Sequence, residues 1–143
     1  MQKTEIRMPS LSEFEKRRTV MGLLARARRE ELDSALATHW PDLSIRVLRQ
    51  PETGFVMLRG RIGGDGAPFN VGETTVSRAV IELSSGERGY GQVMGRDREH
   101  ARLAAIFDAL GQNADSAERV DAAVLRPIET RLQAEKTRDR AET

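Results

Sequence analysis

A chain of 143 residues with 38% hydrophobic and 31% charged residues suits one globular domain with a core of useful size. A formal net charge of +1 excludes capture of nucleic acid by overall charge, and no apolar run approaches a membrane span. The lack of cysteine excludes disulfides, thiolate metal sites, cysteine nucleophiles and iron–sulfur ligation by this chain.

The N-terminal stretch MQKTEIRMPS lacks the apolar segment of a signal peptide, so a cytoplasmic protein is expected. The first helix is predicted from Ser12, where Ser12 and Glu15 have capping-box spacing, to Trp40, with Pro41 as its stop. Met21, Leu24, Ala25, Leu32, Ala35 and Leu36 share one face of it, and Arg26, Arg29, Glu30 and Asp33 the other. Strands follow. SIRVLR (44–49), a PETG turn (51–54) and FVMLRGRI (55–62) read as one hairpin. TVSRAVIEL (75–83), an SSGE turn (84–87) and RGYGQVM (88–94) read as another, with GGDGAPFNVGE (63–73) as a glycine-rich loop between them. Two helices close the chain. One runs from Asp97 to Leu110 with Gly111 as its cap; the other starts near Asp115 and is kinked or divided at Pro127. The charged end, EKTRDRAET, is expected to fray. The expected fold is therefore α+β: an antiparallel sheet of about four strands, in two hairpins, packed with an N-terminal helix and two C-terminal helices. Residues 1–143 are expected to form a single domain, with 1–11 and 136–143 as flexible ends.

Arginine stands out in the composition, because only Lys3, Lys16 and Lys136 of the 23 basic residues are lysine. Arginine suits bidentate recognition of phosphate or carboxylate, although a GC-rich genome produces the same bias. On the second predicted strand, Arg59 and Arg61 point to one face, roughly 7 Å apart, and share it with Phe55 and Met57. Val56, Leu58 and Ile62 form the cleaner apolar face expected to meet the helices. A solvated face needs no Phe and Met, so the mixed face is expected to be covered by a partner or ligand. Arg61 leads into Gly63 and Gly64, whose backbone donors can approach an anion. Arg78 would lie nearby if the two hairpins pair side by side. The loop lacks the ending of a P-loop and does not match a dinucleotide fingerprint.

The stretch GRDREHARL allows two compatible readings. Asp97 is placed as the helix N-cap, bonded to the backbone of His100, which would be the first inward residue of a stripe continued by Leu103, Phe107 and Leu110. Alternatively the helix N-terminus, Arg96 and His100 form an anion site. Asp97 and His100 are too few for a metal site, and His39 is remote in sequence. No serine–histidine–acid set, nucleotide motif or zinc pattern occurs, so no catalytic residue is assigned.

Taken together, PETGFVMLRGRIGGDGAPFNVGETTVSRAVIEL and GERGYGQVMGRDREHARLAAIFDAL resemble the PhnG family of the bacterial carbon–phosphorus lyase system, over about Arg46 to Gln112. ETG, GRIGGDGAPFNVGE and GRD–EHA–DAL occur in family order and spacing. The resemblance implies a cytoplasmic core complex with PhnH, PhnI and PhnJ subunits. With PhnI, PhnH and PhnL, such proteins take part in forming an α-D-ribose 1-phosphonate 5-triphosphate from ATP and a phosphonate, with release of adenine. ATP would be a co-substrate of the complex, and this chain would need no cofactor of its own. A PhnI-like subunit would be the direct contact and the better candidate for the chemistry. Arg59, Arg61, Gly63, Gly64, Arg78, Arg96, Asp97 and His100 are the candidates for substrate or partner contact. Outside the family, the chain would be a stand-alone anion-binding regulatory module.

Overall fold

A computed structural model of the chain describes residues 11–61 and 68–142. Helices α1 (Leu11–Arg26) and α2 (Arg29–His39) lead into strands β1 (Ile45–Arg61), β2 (Pro68–Leu83) and β3 (Arg88–Met94). Helices α3 (Arg98–Gln112), α4 (Ala117–Val120) and α5 (Arg126–Glu142) follow, with a π-helical turn at Asp121–Leu125 between the last two. The sheet is an antiparallel meander in the order β1-β2-β3.

The α+β class holds, but among the described residues the sheet has three strands rather than about four in two hairpins. PETG is not a turn. It lies inside β1, where register shifts between Val47 and Arg49 and between Arg49 and Glu52 take up the irregularity. β1 is an edge strand, and an edge bulge is where a proline without an N–H is tolerated. Of the predicted glycine-rich loop, Pro68 to Glu73 belong instead to β2 and pair with β1 as far as Arg61↔Pro68, and Gly63 to Ala67 lie outside the described residues. SSGE does form a tight turn, with Leu83 and Gly86 closing its hydrogen bonds.

α3 is the centre of the molecule. Its residues from His100 to Leu110 are buried except Arg102, so it needs apolar neighbours on nearly every side. Ala79, Ile81, Leu83 and Val93 of the sheet cover one side; Leu23, Leu24 and Leu32 belong to the helical layer on the other, with Val120, Val124 and Ile128. Trp40 meets Phe107 edge-on at 5.6 Å. The approach of α3 to β3 is set by two missing side chains. A Cβ on Gly89 would stand 1.8 Å from the Ala105 carbonyl oxygen, and one on Gly91 would stand 1.9 Å from that of Ala101. Alanine at 101, 105 and 109 completes the close fit from the helix side.

α3 also closes the free edge of β3. The Tyr90 N–H donates to Asp108 Oδ2 at 2.9 Å, and Gln112 Nε2 donates to the Arg88 carbonyl at 2.9 Å. Asp108 is buried, and the Arg17 guanidinium on α1 donates to both of its oxygens at 3.3 and 3.0 Å.

The helix predicted as one piece from Ser12 is two. It is already helical at Leu11, which places Ser12 inside the first turn, and it breaks at Ala27–Arg28. Arg131 of α5 holds the break. It donates to the Arg26 carbonyl at the end of α1 and to both Glu31 oxygens in the first turn of α2. Glu31 also accepts from the Arg28 N–H at 2.7 Å, and Arg28 reaches Glu135 at 3.2 Å. α3 begins after its predicted cap, Asp97, but ends at Asn113; Gly111 lies within the helix. α4 starts behind Ser116, whose hydroxyl donates to the Leu110 carbonyl at 2.6 Å. The division expected at Pro127 takes the form of the π turn, closed by an N–H of Arg126 bonded five residues back to Asp121. α5 continues through the charged tail to Glu142, with Lys136 to Ala141 exposed.

Candidate functional site

The candidate residues do not form one site. One group lies at the Arg61↔Pro68 end of the β1–β2 ribbon, another beside its middle at the start of α3, and Arg78 stands apart from both. Arg59 and Arg61 lie near the ribbon's far end, and Gly63 and Gly64 lie outside the described residues. Arg78 does not join them. It pairs across from Glu52, ten residues along β2 from the Arg61↔Pro68 pair, or roughly 33 Å at strand rise. Its Nε donates instead to Gln92 on β3 at 3.2 Å.

Arg96, Asp97 and His100 meet at the start of α3. Gly95 makes the corner with φ 98°, a conformation that side-chain-bearing residues rarely adopt. Its N–H donates to the Thr75 carbonyl at 2.7 Å and fixes the corner to β2. A one-way chain of hydrogen bonds stabilises it from beneath. Arg98 Nε donates to Thr53 Oγ1 at 3.3 Å, and Ser77 Oγ donates to the Gly95 carbonyl at 2.8 Å. Thr53 and Ser77 hydroxyls lie 3.0 Å apart. A carbonyl only accepts, so the Ser77 proton points to Gly95 and Thr53 supplies the proton between the hydroxyls.

Asp97 Oδ1 accepts from the His100 N–H at 3.0 Å, the cap expected from spacing, and from Arg29 of α2 at 3.5 Å. His100 is buried, and its Nε2 lies 2.9 Å from the Leu24 carbonyl of α1. The proton must therefore sit on Nε2, and His100 links α3 to α1. Of the two readings for this stretch, the capped helix accounts for every contact Asp97 and His100 make.

What remains open to solvent is arginine. Arg96 is exposed and makes no hydrogen bond or ion pair among the described residues, and Arg98 spends only its Nε on Thr53. Carboxylates balance most of this charge. Arg102 binds Glu99 through both oxygens, and Arg29 faces Asp97 and Asp33. The hydrogen bond from Arg102 holds the Glu99 carboxyl below the usual glutamate range, against a smaller opposing effect of burial. The start of α3 therefore presents a narrow cationic edge suited to one oxyanion or one carboxylate-bearing neighbour. No group of three or more potential metal ligands occurs among the described residues.

The ion pair between half-exposed Arg17 and buried Asp108 was not among the candidates read from sequence. An aspartate inside the apolar run AIFDAL is its only trace. A cleft of about 450 Å³ lies over it, lined by Phe14, Val20, Gln112 and Leu125 among others. Because Asp108 already accepts from Arg17, Tyr90 and Gln112, it has little left to offer a ligand.

Residues 15–143 match the family described as "Phosphonate metabolism protein PhnG". The chain belongs to the PhnG family. The match takes in the flanking helices as well as the central Arg46–Gln112 stretch. A curated relative, the alpha-D-ribose 1-methylphosphonate 5-triphosphate synthase subunit PhnG of Rhizobium meliloti (strain 1021), is 50% identical over 127 residues, covering 89% of this chain and 81% of the relative. Of the family-like segments, ETG follows the second irregularity of β1, and GRD–EHA–DAL runs from the Gly95 corner to the end of α3's buried stretch.

Proposed function

We propose that this chain is the PhnG subunit of a cytoplasmic complex that makes α-D-ribose 1-methylphosphonate 5-triphosphate from ATP and a phosphonate, releasing adenine, in organic phosphonate catabolism. The observation that carries this reading is the 50% identity to the synthase subunit over 89% of the chain. Its direct neighbour is a PhnI-like subunit, with PhnH, PhnJ and PhnL-like proteins in the same system. Within the complex the chain supports the reaction rather than performing it. Asp97, His100 and Asp108 are committed to helix capping, helix linkage and edge closure, which leaves no poised acid, base or nucleophile among them.

Arg96 and Arg98 at the start of α3 are the groups placed to orient a substrate oxyanion or a partner's carboxylate. Arg61 is assigned to partner contact. Thr75, bonded to the Gly95 corner, is seven residues along β2 from Pro68, roughly 23 Å. One triphosphate cannot bridge that separation.

The test is a reconstituted system that measures adenine release from ATP and methylphosphonate, with and without this chain. The reaction is expected to fail without it and to return when it is added back. Full activity in its absence overturns the proposal. A chain that stays unpartnered when the other subunits are co-expressed, yet binds phosphate-bearing ligands, would instead be the regulatory module.

A further inference from the structure

The two edges of the sheet are treated differently. α3 closes the edge of β3 by taking up backbone groups of Arg88 and Tyr90 with Gln112 and Asp108. The first half of β1 is interrupted by two register shifts and Pro51, devices that hinder a further strand. From Glu52 to Arg61 neither protection exists. This stretch pairs only with β2 among the described residues and has a single register shift, after Leu58. It carries Phe55 at 70% exposure and Met57 at 48%.

The placement of these two side chains differs from the sequence expectation. Phe55 pairs across from Thr75, on the same pleat face as Thr53 and Ser77, so it lies on the helix side of the sheet rather than the opposite one. It is exposed because the ribbon outruns α3. Arg98, in the first turn of α3, already reaches only to Thr53. A two-stranded ribbon beyond its helix layer is marginal alone and gains from a third strand.

We infer that the Glu52–Arg61 edge of β1 accepts an extended, acidic segment of another subunit as an added strand. The segment would carry apolar side chains over Phe55 and Met57. Charge selects this occupant over a second copy of the chain. Within this edge Arg59 and Arg61 stand against the single acid Glu52, whose carboxylate already faces Arg49 at 3.7 Å. Antiparallel pairing of two copies on this edge about Phe55 or Val56 would set Glu52 across from Leu58 or Gly60, so no carboxylate would face Arg59 or Arg61. Opposite charges directly opposed favour a pair, and carboxylates on an added strand supply them.

The inference rests on the subunit reading above, and one experiment separates their failures. The chain is co-purified with the other synthase subunits, and hydrogen exchange is compared between the free and assembled states. The fast amides of residues 52–61 are expected to slow at least tenfold on assembly. Two double variants at these exposed positions probe the charge. Phe55→Lys with Met57→Lys is expected to assemble more weakly than wild type, and Phe55→Glu with Met57→Glu at least tenfold more weakly still. Unchanged exchange at 52–61 in an intact complex overturns this inference alone, as does a glutamate variant that assembles as well as the lysine one. A free chain that dimerises through this edge also overturns it. Failure to co-purify overturns the subunit reading and this inference with it.

Discussion

Asp97 satisfies an orphan N–H of α3 and draws in Arg29 of α2 with the same oxygen. Asp97→Ala is expected to cost about 1 kcal/mol, the usual scale for a lost cap, while Asp97→Asn keeps most of it; urea denaturation reads both. If adenine release by the assembled complex falls no further than the amount of folded complex, Asp97 acts only as a cap. Glycines make a sharper contrast. Gly91→Ala drives a methyl group into the Ala101 carbonyl and is expected to destabilise by about 1–3 kcal/mol, whereas a Cβ on Gly54 meets nothing within 4 Å. Gly54→Ala is therefore expected to be neutral or slightly stabilising in the same denaturation series. The cap was legible in sequence because its donor and acceptor are three residues apart. The need for glycine at 91 was not, because the atom it avoids belongs to a helix packed on the strand.

At the scale of elements, the break between α1 and α2 has no proline or glycine to announce it. Ala27 and Arg28 are unremarkable helix residues, and the break is fixed by Arg131, about a hundred residues away in sequence. PETG misled for the opposite reason: its turn chemistry is real, but an edge strand can absorb it as a bulge. Arg131→Ala is expected to cost about 1–2 kcal/mol, since it removes charge-assisted bonds that are only partly shielded from water. It should also change the response to acid. Burial alone would raise the Glu31 carboxyl, but the bonds from Arg131 and the Arg28 N–H, with the charges of both arginines, outweigh it and hold Glu31 below the usual glutamate range. A carboxylate depressed in the folded state contributes stability that is complete above its unfolded pKa, about 4.3, and lost as pH falls through the lower folded value. Wild type is therefore expected to hold its melting temperature from neutral pH to about pH 5 and to lose it below about pH 4. The variant, lacking part of that contribution, should show a shallower decline.

For the whole molecule, an exposed ribbon carrying Phe55 and Met57 implies a chain more stable in its complex than alone. With partner at about a hundred times its dissociation constant, mass action adds about 2.7 kcal/mol, or roughly 5–20 °C of melting temperature. Equal melting temperatures with and without excess partner would contradict this. The layout of the molecule was readable as helix, then strands, then helices, because hydrophobic period and turn residues are local. How far β1 and β2 run together was not, because their pairing unites segments on either side of a glycine-rich stretch. That length governs how the protein moves through water. A strand of 17 residues extends roughly 55 Å, while a compact chain of this size would be only about 37 Å across. Friction follows the longest dimension, so the free monomer should diffuse slowly for its 15.9 kDa and elute early from a sizing column. Light scattering on the same peak should return the mass of one chain.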